Sequence, residues 1–241
     1  MHALHHPGIC LERTDAGYRT GLNMAYHMTI VDVSPAELSE HADRAAQVMR
    51  QGGILIGPTD TLYGIMVVAT DERAYQRIFE LKGRVPSQPL PLIAADFDQV
   101  AVFCDMPEAA VTLARHFWPG PLTLVLPAKK KAPQWCQAAD GTLAIRVPDH
   151  LFCRELSAAA GAPLTATSAN LSGQPPARSL SQVSARLKAG ADLLVDGGEA
   201  AHSRPSTILR ISGDRVQMLR EGAVAEEKLC NLLGESALER G

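Results

Sequence analysis

Short apolar runs alternate with amphipathic segments along most of this chain, as strands and helices do when they follow one another. Ile54-Leu55-Ile56 is an apolar run of strand composition, and the segment before it carries an apolar helical face. That face consists of Leu38, Ala42, Ala45 and Met49. The alternation predicts an α/β protein, in which helices flank a twisted, open sheet.

The predicted helices are bounded by residues with clear capping preferences. Ser34 and Glu37 form a capping box around Pro35 at the first helical position, and the pair Gly52-Gly53 ends that helix. Asp71 caps a second helix, whose last turn contains Lys82. Further helices are predicted after Asp96 and Pro107 and over 148–160, 180–189 and 225–233.

The end of the chain carries a hairpin pattern. Thr207–Ile211 and Arg215–Leu219 flank the turn Ser212-Gly213-Asp214, so this pair should be antiparallel and the sheet mixed. At the other end, 29–33 is predicted to be a short strand. Residues 1–28 have no sustained period and are interpreted as an irregular N-terminal extension, which leaves 29–241 as one domain.

Composition narrows the classes of protein that fit. Apolar residues make up 46% of the 241 residues and the net charge is -3, so no global attraction to nucleic acid is indicated. Five scattered cysteines without a Cys-x-x-Cys pair favour neither a disulfide framework nor a zinc site, and they suit a reducing cytoplasm. No apolar run approaches the ~20 residues of a membrane span, so we expect a cytoplasmic protein without a membrane segment or a bound metal.

The stretch from Gly52 to Gly64 ends a buried strand in a cluster of polar side chains. Its run Thr59-Asp60-Thr61 brings two hydroxyls and a carboxylate to the end of the strand. Open α/β sheets bind their ligands at such strand ends, although an ordinary Asp/Thr turn has the same composition. Both interpretations stay open from this stretch alone.

Two cations and a loop of neutral donors are candidates for a phosphate site. A lysine such as Lys82 in a last helical turn commonly stabilises the helix dipole, but Arg84 adds a second cation at the same corner. Ser168 and Asn170 follow a predicted strand and offer neutral donors. Together these groups suit a polyphosphate, although the chain has neither a P-loop nor a Gly-x-Gly-x-x-Gly motif. No nucleophile motif accompanies them.

Arg146 interrupts an apolar strand between Ile145 and Val147. A buried guanidinium must be paired with an acid or bound to an anion. The partner is either a protein carboxylate, which makes a structural salt bridge, or the carboxylate of a ligand held in the same fork geometry.

Several motifs recur in one order along the chain and carry a family resemblance. They are TDTLYG at 59–64, Lys82-Gly83-Arg84, PGPLT at 119–123, AIRVP at 144–148, TSANLSG at 167–173, Ser206-Thr207-Ile208 and Arg220-Glu221-Gly222. In this order and spacing they resemble the YrdC/Sua5 family, the threonylcarbamoyl-AMP synthases. The resemblance runs from about Ser34 to Gly222 and implies a twisted α/β sheet with a concave cavity.

The resemblance also implies a reaction and a set of site residues. Members condense L-threonine, bicarbonate and ATP into threonylcarbamoyl-AMP and pyrophosphate, for the t6A37 modification of tRNA by a downstream transferase complex. Mg²⁺ should accompany the ATP. By motif, the L-threonine contacts are Thr61, Arg146, Ala166 (through its backbone) and Ser206. The nucleotide side is Lys82, Arg84, Thr142, Ser168, Asn170 and Arg220, and the catalytic groups are Lys82, Arg84, Ser168 and Asn170.

Three departures from the family pattern bear on the site. Val85 stands where proline usually follows Lys-x-Arg, and Ile93 stands where archaeal-type members have a histidine. The chain also stops soon after Arg220, which is typical of the short, single-domain form. These departures affect the loop after Arg84 and one threonine contact.

Two other functions fit weaker patterns. Lys129, Lys130 and Lys131 with Arg178, Arg186 and Lys188 would form a basic rim for double-stranded RNA or a ribosome. A carbamoyl transferase of the hydrogenase-maturation type would need companion domains. ATP consumption that requires threonine and bicarbonate supports a synthase, whereas salt-sensitive RNA binding without turnover supports an RNA-binding module.

Overall fold

The computed structural model describes residues 25–84, 88–201, 204–213, 215–234 and 238–240. Its strands are β1 Tyr26–Thr29, β2 Leu55–Gly57, β3 Gly64–Met66, β4 Leu92–Ile93, β5 Leu122–Pro127, β6 Thr142–Arg146, β7 Leu164–Thr165, β8 Thr167–Ser168, β9 Leu193–Asp196, β10 Thr207–Ser212, β11 Arg215–Arg220 and β12 Leu238–Arg240. Its helices are α1 Pro35–Arg50, α2 Glu72–Lys82, α3 Phe97–Phe103, α4 Glu108–Phe117, α5 Leu151–Ala160, α6 Ala185–Ala189 and α7 Glu226–Leu233.

The strands form two mixed sheets. One has the order β1-β9-β2-β3-β8, and the other has the order β12-β11-β10-β5-β6-β4-β7. The sheets meet where Val68 bridges Leu164 and where the Thr165 backbone N–H donates to the Val67 carbonyl at 2.9 Å. The chain passes from β7 in one sheet to β8 in the other across Ala166 alone. The predicted mixed α/β fold is confirmed.

The predicted helix boundaries at α1 and α2 are confirmed in atomic detail. The Ser34 hydroxyl accepts from the Glu37 N–H at 3.3 Å, and the Glu37 carboxylate accepts from the Ser34 N–H at 2.8 Å. This reciprocal pair satisfies two donors that would otherwise lack partners at the start of α1. Asp71 caps α2 through the Ala74 N–H at 3.0 Å, and Gly83 ends it in the left-handed region at φ 62°.

The strand predicted over 29–33 is displaced in the structure. β1 begins at Tyr26 and ends at Thr29, so the last residues of the predicted N-terminal extension belong to the sheet. Their strand conformation comes from parallel pairing with β9, a long-range contact that no local pattern reveals. Asp32, at φ 56°, turns the chain towards α1, so the predicted strand does not continue to residue 33. Residues 1–24 lie outside the described part of the chain.

Two other elements differ from their predictions. The helix predicted over 180–189 is split into a 3₁₀ turn at Leu180–Gln182 and α6, because Ser184 caps α6 through the Leu187 N–H. The predicted polar tail contains β12, which pairs in parallel with β11. The predicted hairpin is confirmed as β10 and β11. Among the described residues, no helix is both long and apolar enough to cross a membrane.

The described cysteines are buried or half-buried thiols without a disulfide partner. Cys104, Cys136 and Cys153 are buried, and Cys230 is half-buried. Burial raises the pKa of each of the three buried thiols to about 12. At neutral pH these thiols therefore stay protonated and unreactive.

Candidate functional site

A cavity of about 770 Å³ is lined by residues from both sheets. Every predicted site residue except Lys82 lines it: Thr61, Arg84, Thr142, Arg146, Ala166, Ser168, Asn170, Ser206 and Arg220. Ile93, which stands at one of the departures from the family pattern, also lines it. Val85, the other such residue, lies outside the described residues. A volume of this size accommodates a nucleotide-sized ligand.

Arg146 is paired with a protein acid at the wall of this cavity. Its Nη1 donates to Asp60 Oδ1, and its Nη2 donates to Thr61 Oγ1 at 3.2 Å. The side chains of Arg146 and Asp60 are only 7% and 2% exposed. The structure therefore contains the salt bridge that was one of the two expectations for Arg146. Only two of its five N–H donors are used in these contacts, so a ligand can still bind to the guanidinium.

The loop between β2 and β3 holds Asp60 and Thr61 in place. Thr59 Oγ1 accepts from the backbone N–H groups of Thr61 at 3.2 Å and Leu62 at 3.3 Å. It also donates to the Leu62 carbonyl at 2.7 Å. These short-range bonds close a tight turn at the end of the strand. The second oxygen of Asp60 accepts from the Asp149 N–H at 3.3 Å, which ties the loop to the start of α5.

Lys82 lies behind the cavity wall. Its Nζ donates to the Ser168 carbonyl at 2.6 Å and to Thr167 Oγ1 at 3.1 Å, and the residue is 6% exposed. Burial first, and then the charge of Arg84, lowers the pKa of Lys82 to about 8. The prediction that Lys82 faces the ligand directly therefore does not agree with the structure. Lys82 thus binds both residues of β8, and the third N–H of its ammonium group takes part in neither bond.

Lys82 should make anion binding depend on pH. Because its pKa is about 8, Lys82 is cationic below pH 8 and becomes neutral as the pH rises through 8. We expect the affinity for inorganic tripolyphosphate to weaken severalfold between pH 7.5 and 9.5. Calorimetric titration across this range measures it, with Lys82→Arg as the control, because arginine stays charged. A wild-type affinity that is constant over the range would contradict the assignment.

Arg84 is the cation that faces the cavity directly. Gly83, at φ 62°, turns the chain after α2 so that Arg84 leaves the helix and reaches the cavity wall. In the described part of the chain, its side chain has neither a hydrogen bond nor an ion pair. As far as the described residues show, Arg84 therefore keeps all its donors for an anion.

The loop after β8 uses much of its own hydrogen-bonding capacity. Ser168 Oγ donates to Asn170 Oδ1, and the Asn170 amide donates to the carbonyls of Leu171 at 3.1 Å and Gln174 at 2.6 Å. The neutral donors expected from Asn170 are thus engaged in shaping the loop. Ser168 remains at the cavity surface, where its hydroxyl can rotate towards a ligand.

Ser206 and Arg220 line the cavity from the sheet that contains β10 and β11. Arg220 donates to the Ser206 carbonyl from Nε at 3.1 Å and from Nη2 at 2.8 Å, and Ser206 Oγ lies 2.8 Å from Thr123 Oγ1. A bulge in β11 opposite Ile208 and Leu209 lets both Leu219 and Arg220 line the cavity. Burial, and secondarily the charge of Arg146, lowers the pKa of Arg220.

Gly222 allows the chain after β11 to pass close to Ser206. A Cβ at this position would lie 2.3 Å from the Pro205 carbonyl oxygen and 2.5 Å from the Ser206 carbonyl carbon. We expect Gly222→Ala to push this backbone aside, lowering the free energy of unfolding by about 1–3 kcal/mol and weakening ligand binding at Ser206. Thermal melts measure the first effect. Gly64→Ala is the control for stability, because its Cβ would make only ordinary contacts from 3.5 Å.

Thr142 lines the cavity and donates two hydrogen bonds to one partner, Asp140. Its hydroxyl donates to Asp140 Oδ1 at 2.6 Å, and its backbone N–H donates to the same oxygen at 3.2 Å. The other oxygen of Asp140 accepts from Arg210 Nη1 at 2.6 Å. These hydrogen bonds, led by the one from the Thr142 hydroxyl, lower the pKa of Asp140 and keep it ionised.

Four residues of this region were not among the predicted site residues: Asp60, Thr123, Asp140 and Arg210. Asp60 lay in the polar cluster noted at the end of β2, and its signal was the need of Arg146 for a buried partner. Thr123 ends the PGPLT motif, but no role was predicted for it. Asp140 and Arg210 gave no signal, because their contact joins residues far apart in sequence.

The predicted basic rim is partly neutralised. Lys129 Nζ lies 3.9 Å from Asp105 Oδ1 and donates to the Ala101 carbonyl, and Arg178 lies 3.3 Å from Glu199. Paired cations contribute less to phosphate binding than free ones do. The surface is therefore less suited to RNA than its count of basic residues indicates.

The fold and cavity define an α/β ligand-binding protein whose polar groups suit anions. The profile of the Sua5/YciO/YrdC family, described as "Telomere recombination", matches residues 47–222. This chain belongs to that family.

Relatives and one solved structure extend the comparison. The chain is 37% identical to the threonylcarbamoyl-AMP synthase of Pyrococcus abyssi over 79% of its own length and 56% of that protein. It is 35% identical to the Bacillus subtilis threonylcarbamoyl-AMP synthase over 82% of its length and 58% of that protein. The crystal structure of P. abyssi Sua5 complexed with L-threonine superposes with a TM-score of 0.82 at 32% identity, covering 89% of this chain and 62% of that one. The chain thus spans little more than half of the two curated relatives.

Proposed function

We propose that this protein is an L-threonylcarbamoyladenylate synthase, a nucleotidyltransferase that forms threonylcarbamoyl-AMP and pyrophosphate from L-threonine, bicarbonate and ATP. The observation that carries the proposal is one cavity lined by both the buried Arg146 and the cation Arg84, with Lys82 behind its wall. The names of the relatives support it. The P. abyssi Sua5 structure, which was solved as a complex with L-threonine, adds further support.

In this proposal the L-threonine lies against Arg146, Thr61, Ser206 and Ala166. The free N–H groups of Arg146 bind the amino acid's carboxylate, since a planar guanidinium matches that geometry. The Ala166 N–H already donates to the Pro91 carbonyl at 2.8 Å, so its own carbonyl is the backbone group that meets the substrate. Ile93 supplies an apolar wall there.

The triphosphate lies at the corner of Arg84 and the Ser168 loop. Arg84 binds phosphate oxygens directly, Ser168 turns its hydroxyl towards them, and Asn170 keeps the loop in shape. Lys82 acts from behind, by holding the Ser168 carbonyl and adding positive charge. Arg220 contributes a further charge at the cavity wall beside Ser206.

This arrangement suits a reaction that needs positioning more than chemical activation. The threonine amine takes up bicarbonate with loss of water, and the resulting carbamate attacks the α-phosphorus of ATP, from which pyrophosphate leaves. The carbamate is unstable and must meet the nucleotide at once. Cations and donors held in place lower the barrier to that step, and no protein nucleophile takes part.

A protein-bound magnesium ion does not fit the cavity. No carboxylate is among its described lining residues, and no cluster of three or more His, Cys, Asp or Glu side chains occurs in the described chain. Mg²⁺ would therefore enter on the nucleotide's phosphates, with water as its other ligands.

Mass spectrometry tests the proposal. Incubation of the protein with ATP, L-threonine and bicarbonate should yield threonylcarbamoyl-AMP and pyrophosphate, and omission of any one substrate should prevent both. Addition of a threonylcarbamoyl transferase complex and tRNA should then give t6A37. ATP consumption that does not require threonine would contradict the proposal, and RNA binding without any turnover would favour an RNA-binding module.

A further inference from the structure

Thr142, Asp140 and Arg210 form a polar chain, and its outer members, Thr142 and Arg210, line the cavity from the sheet that contains β6 and β10. Thr142 and Arg146 both line the cavity from β6 and are four residues apart, or about 13 Å along an extended strand. The Lys82–Ser168 corner belongs instead to the sheet that contains β8. Thr142 and Ser168 therefore face the cavity from different sheets.

The hydrogen bond between Thr142 and Asp140 has a fixed direction. An ionised carboxylate has only acceptors, so at 2.6 Å the proton must come from the Thr142 hydroxyl. A hydroxyl has a single proton, and this one is committed to Asp140. Thr142 Oγ therefore offers only lone pairs to the cavity.

Arg210 makes this direction persist. Its Nη1 binds the other oxygen of Asp140 at 2.6 Å, which fixes the carboxylate and favours its ionised form. The Thr142 N–H, at 3.2 Å from the same oxygen as the hydroxyl, adds a second restraint. Asp140 is thus held by three donors from two residues, one of which is distant in sequence.

From this geometry we propose that Asp140, held by Arg210, fixes Thr142 as a hydrogen-bond acceptor that selects the donor-bearing nucleoside end of the nucleotide. A phosphate oxygen, mostly unprotonated at neutral pH, cannot donate to the Thr142 lone pair. A phosphate at this place would bind instead to Arg210, which also lines the cavity and whose Nε has no partner among the described residues. The donors that a nucleoside offers are the amino group of adenine and the ribose hydroxyls. The inference rests on the proposed function for its choice of ligand, and it makes Asp140 and Arg210 positioning residues that act through Thr142.

Equilibrium binding of ATP and four comparison ligands tests the inference without requiring turnover. ATP is compared with inosine triphosphate, which lacks the amino group, with 2′-deoxy-ATP and 3′-deoxy-ATP, and with inorganic tripolyphosphate. We expect the wild-type protein to bind ATP about three- to tenfold more tightly than the analogue that lacks the recognised donor. Which analogue is weak distinguishes the base from the sugar.

The variants distinguish a loss of nucleotide preference from a general loss of ligand binding. Thr142→Val should weaken ATP binding to the level of that analogue and leave the analogue and tripolyphosphate unchanged, while Thr142→Ser should preserve the preference. Asp140→Ala and Arg210→Ala should reduce the preference, because the freed hydroxyl can then turn its proton either way. Arg84→Ala should instead weaken the binding of tripolyphosphate and leave the preference for ATP over the analogue in place. Arg44→Ala, in an exposed pair on α1, is the control.

Several outcomes would overturn the inference. They are equal wild-type affinity for ATP and all three analogues, loss of tripolyphosphate binding in Thr142→Val, an unchanged preference in Asp140→Ala, and absence of ATP binding. The proposed function fails separately: the binding pattern without threonylcarbamoyl-AMP would contradict the synthase alone. Synthesis without nucleotide preference would contradict this inference alone.

Discussion

Replacing Arg146 by lysine is expected to raise the threonine concentration needed for half-maximal pyrophosphate release by tenfold or more. Lysine keeps a positive charge for Asp60, but it cannot reproduce the planar fork that binds a carboxylate at two points. Loss of such a charge-assisted bond costs about 1.5–3 kcal/mol, which corresponds to at least tenfold in affinity. The affinity for ATP should change much less.

The salt bridge with Asp60 makes stability a necessary second measurement for Arg146. The pair is buried, so removing one partner leaves a charge without compensation and costs about 3–5 kcal/mol. Arg146→Ala and Asp60→Asn should therefore melt early, whereas Arg146→Lys should stay closer to the wild type. Separate threonine and ATP titrations beside thermal melts distinguish the two roles.

Arg77→Lys is the matched control for Arg146→Lys. Arg77 pairs with Asp192 at 3.0 Å in a half-exposed position that does not line the cavity, so its replacement should leave both titrations unchanged. A stable Arg146→Lys protein with normal threonine affinity would show that the amino-acid site lies elsewhere. Equal loss of affinity for both substrates would mean that Arg146 serves only the fold.

Replacing Lys82 by methionine is expected to lower kcat/KM for pyrophosphate release by about 10²–10³-fold, the loss typical of a removed electrostatic donor. Methionine fills the buried space but supplies neither the charge nor the bonds to Thr167 and Ser168. Burial depresses the pKa of Lys82, so the cation is unfavourable in the folded state at neutral pH. Its removal should therefore change the melting temperature little.

Arg84→Ala should cause a loss of similar size by a different route. Arg84 lines the cavity, whereas Lys82 acts through the loop, so only the Lys82 variant should also alter the environment of Ser168. Lys130→Met, on an exposed loop, is the control for charge removal. Activity equal to the wild type in both site variants would contradict the phosphate corner. Weakened RNA binding in Lys130→Met with unchanged turnover would instead assign the basic rim a separate role.

The sequence by itself determined those features that depend on neighbouring residues. Caps such as Ser34 and Asp71 act within three residues, so their helices begin where the pattern predicts. The β10–β11 hairpin follows from its turn, since two strands joined by a short turn pair with each other. Arg146 in an apolar strand required a buried partner, although the sequence did not identify it.

Only the tertiary structure decided which distant residues meet. It joined β1 to β9, divided the strands between two sheets and paired Arg146 with Asp60, a residue 86 positions away. It also set Lys82 behind the cavity wall and linked Arg210 to Thr142 through Asp140. Local periodicity specifies which face of an element is apolar, but the choice of partner depends on how all the elements pack together. For that reason the motifs predicted many residues that line the cavity, whereas the partner and direction of each hydrogen bond among them came from the fold.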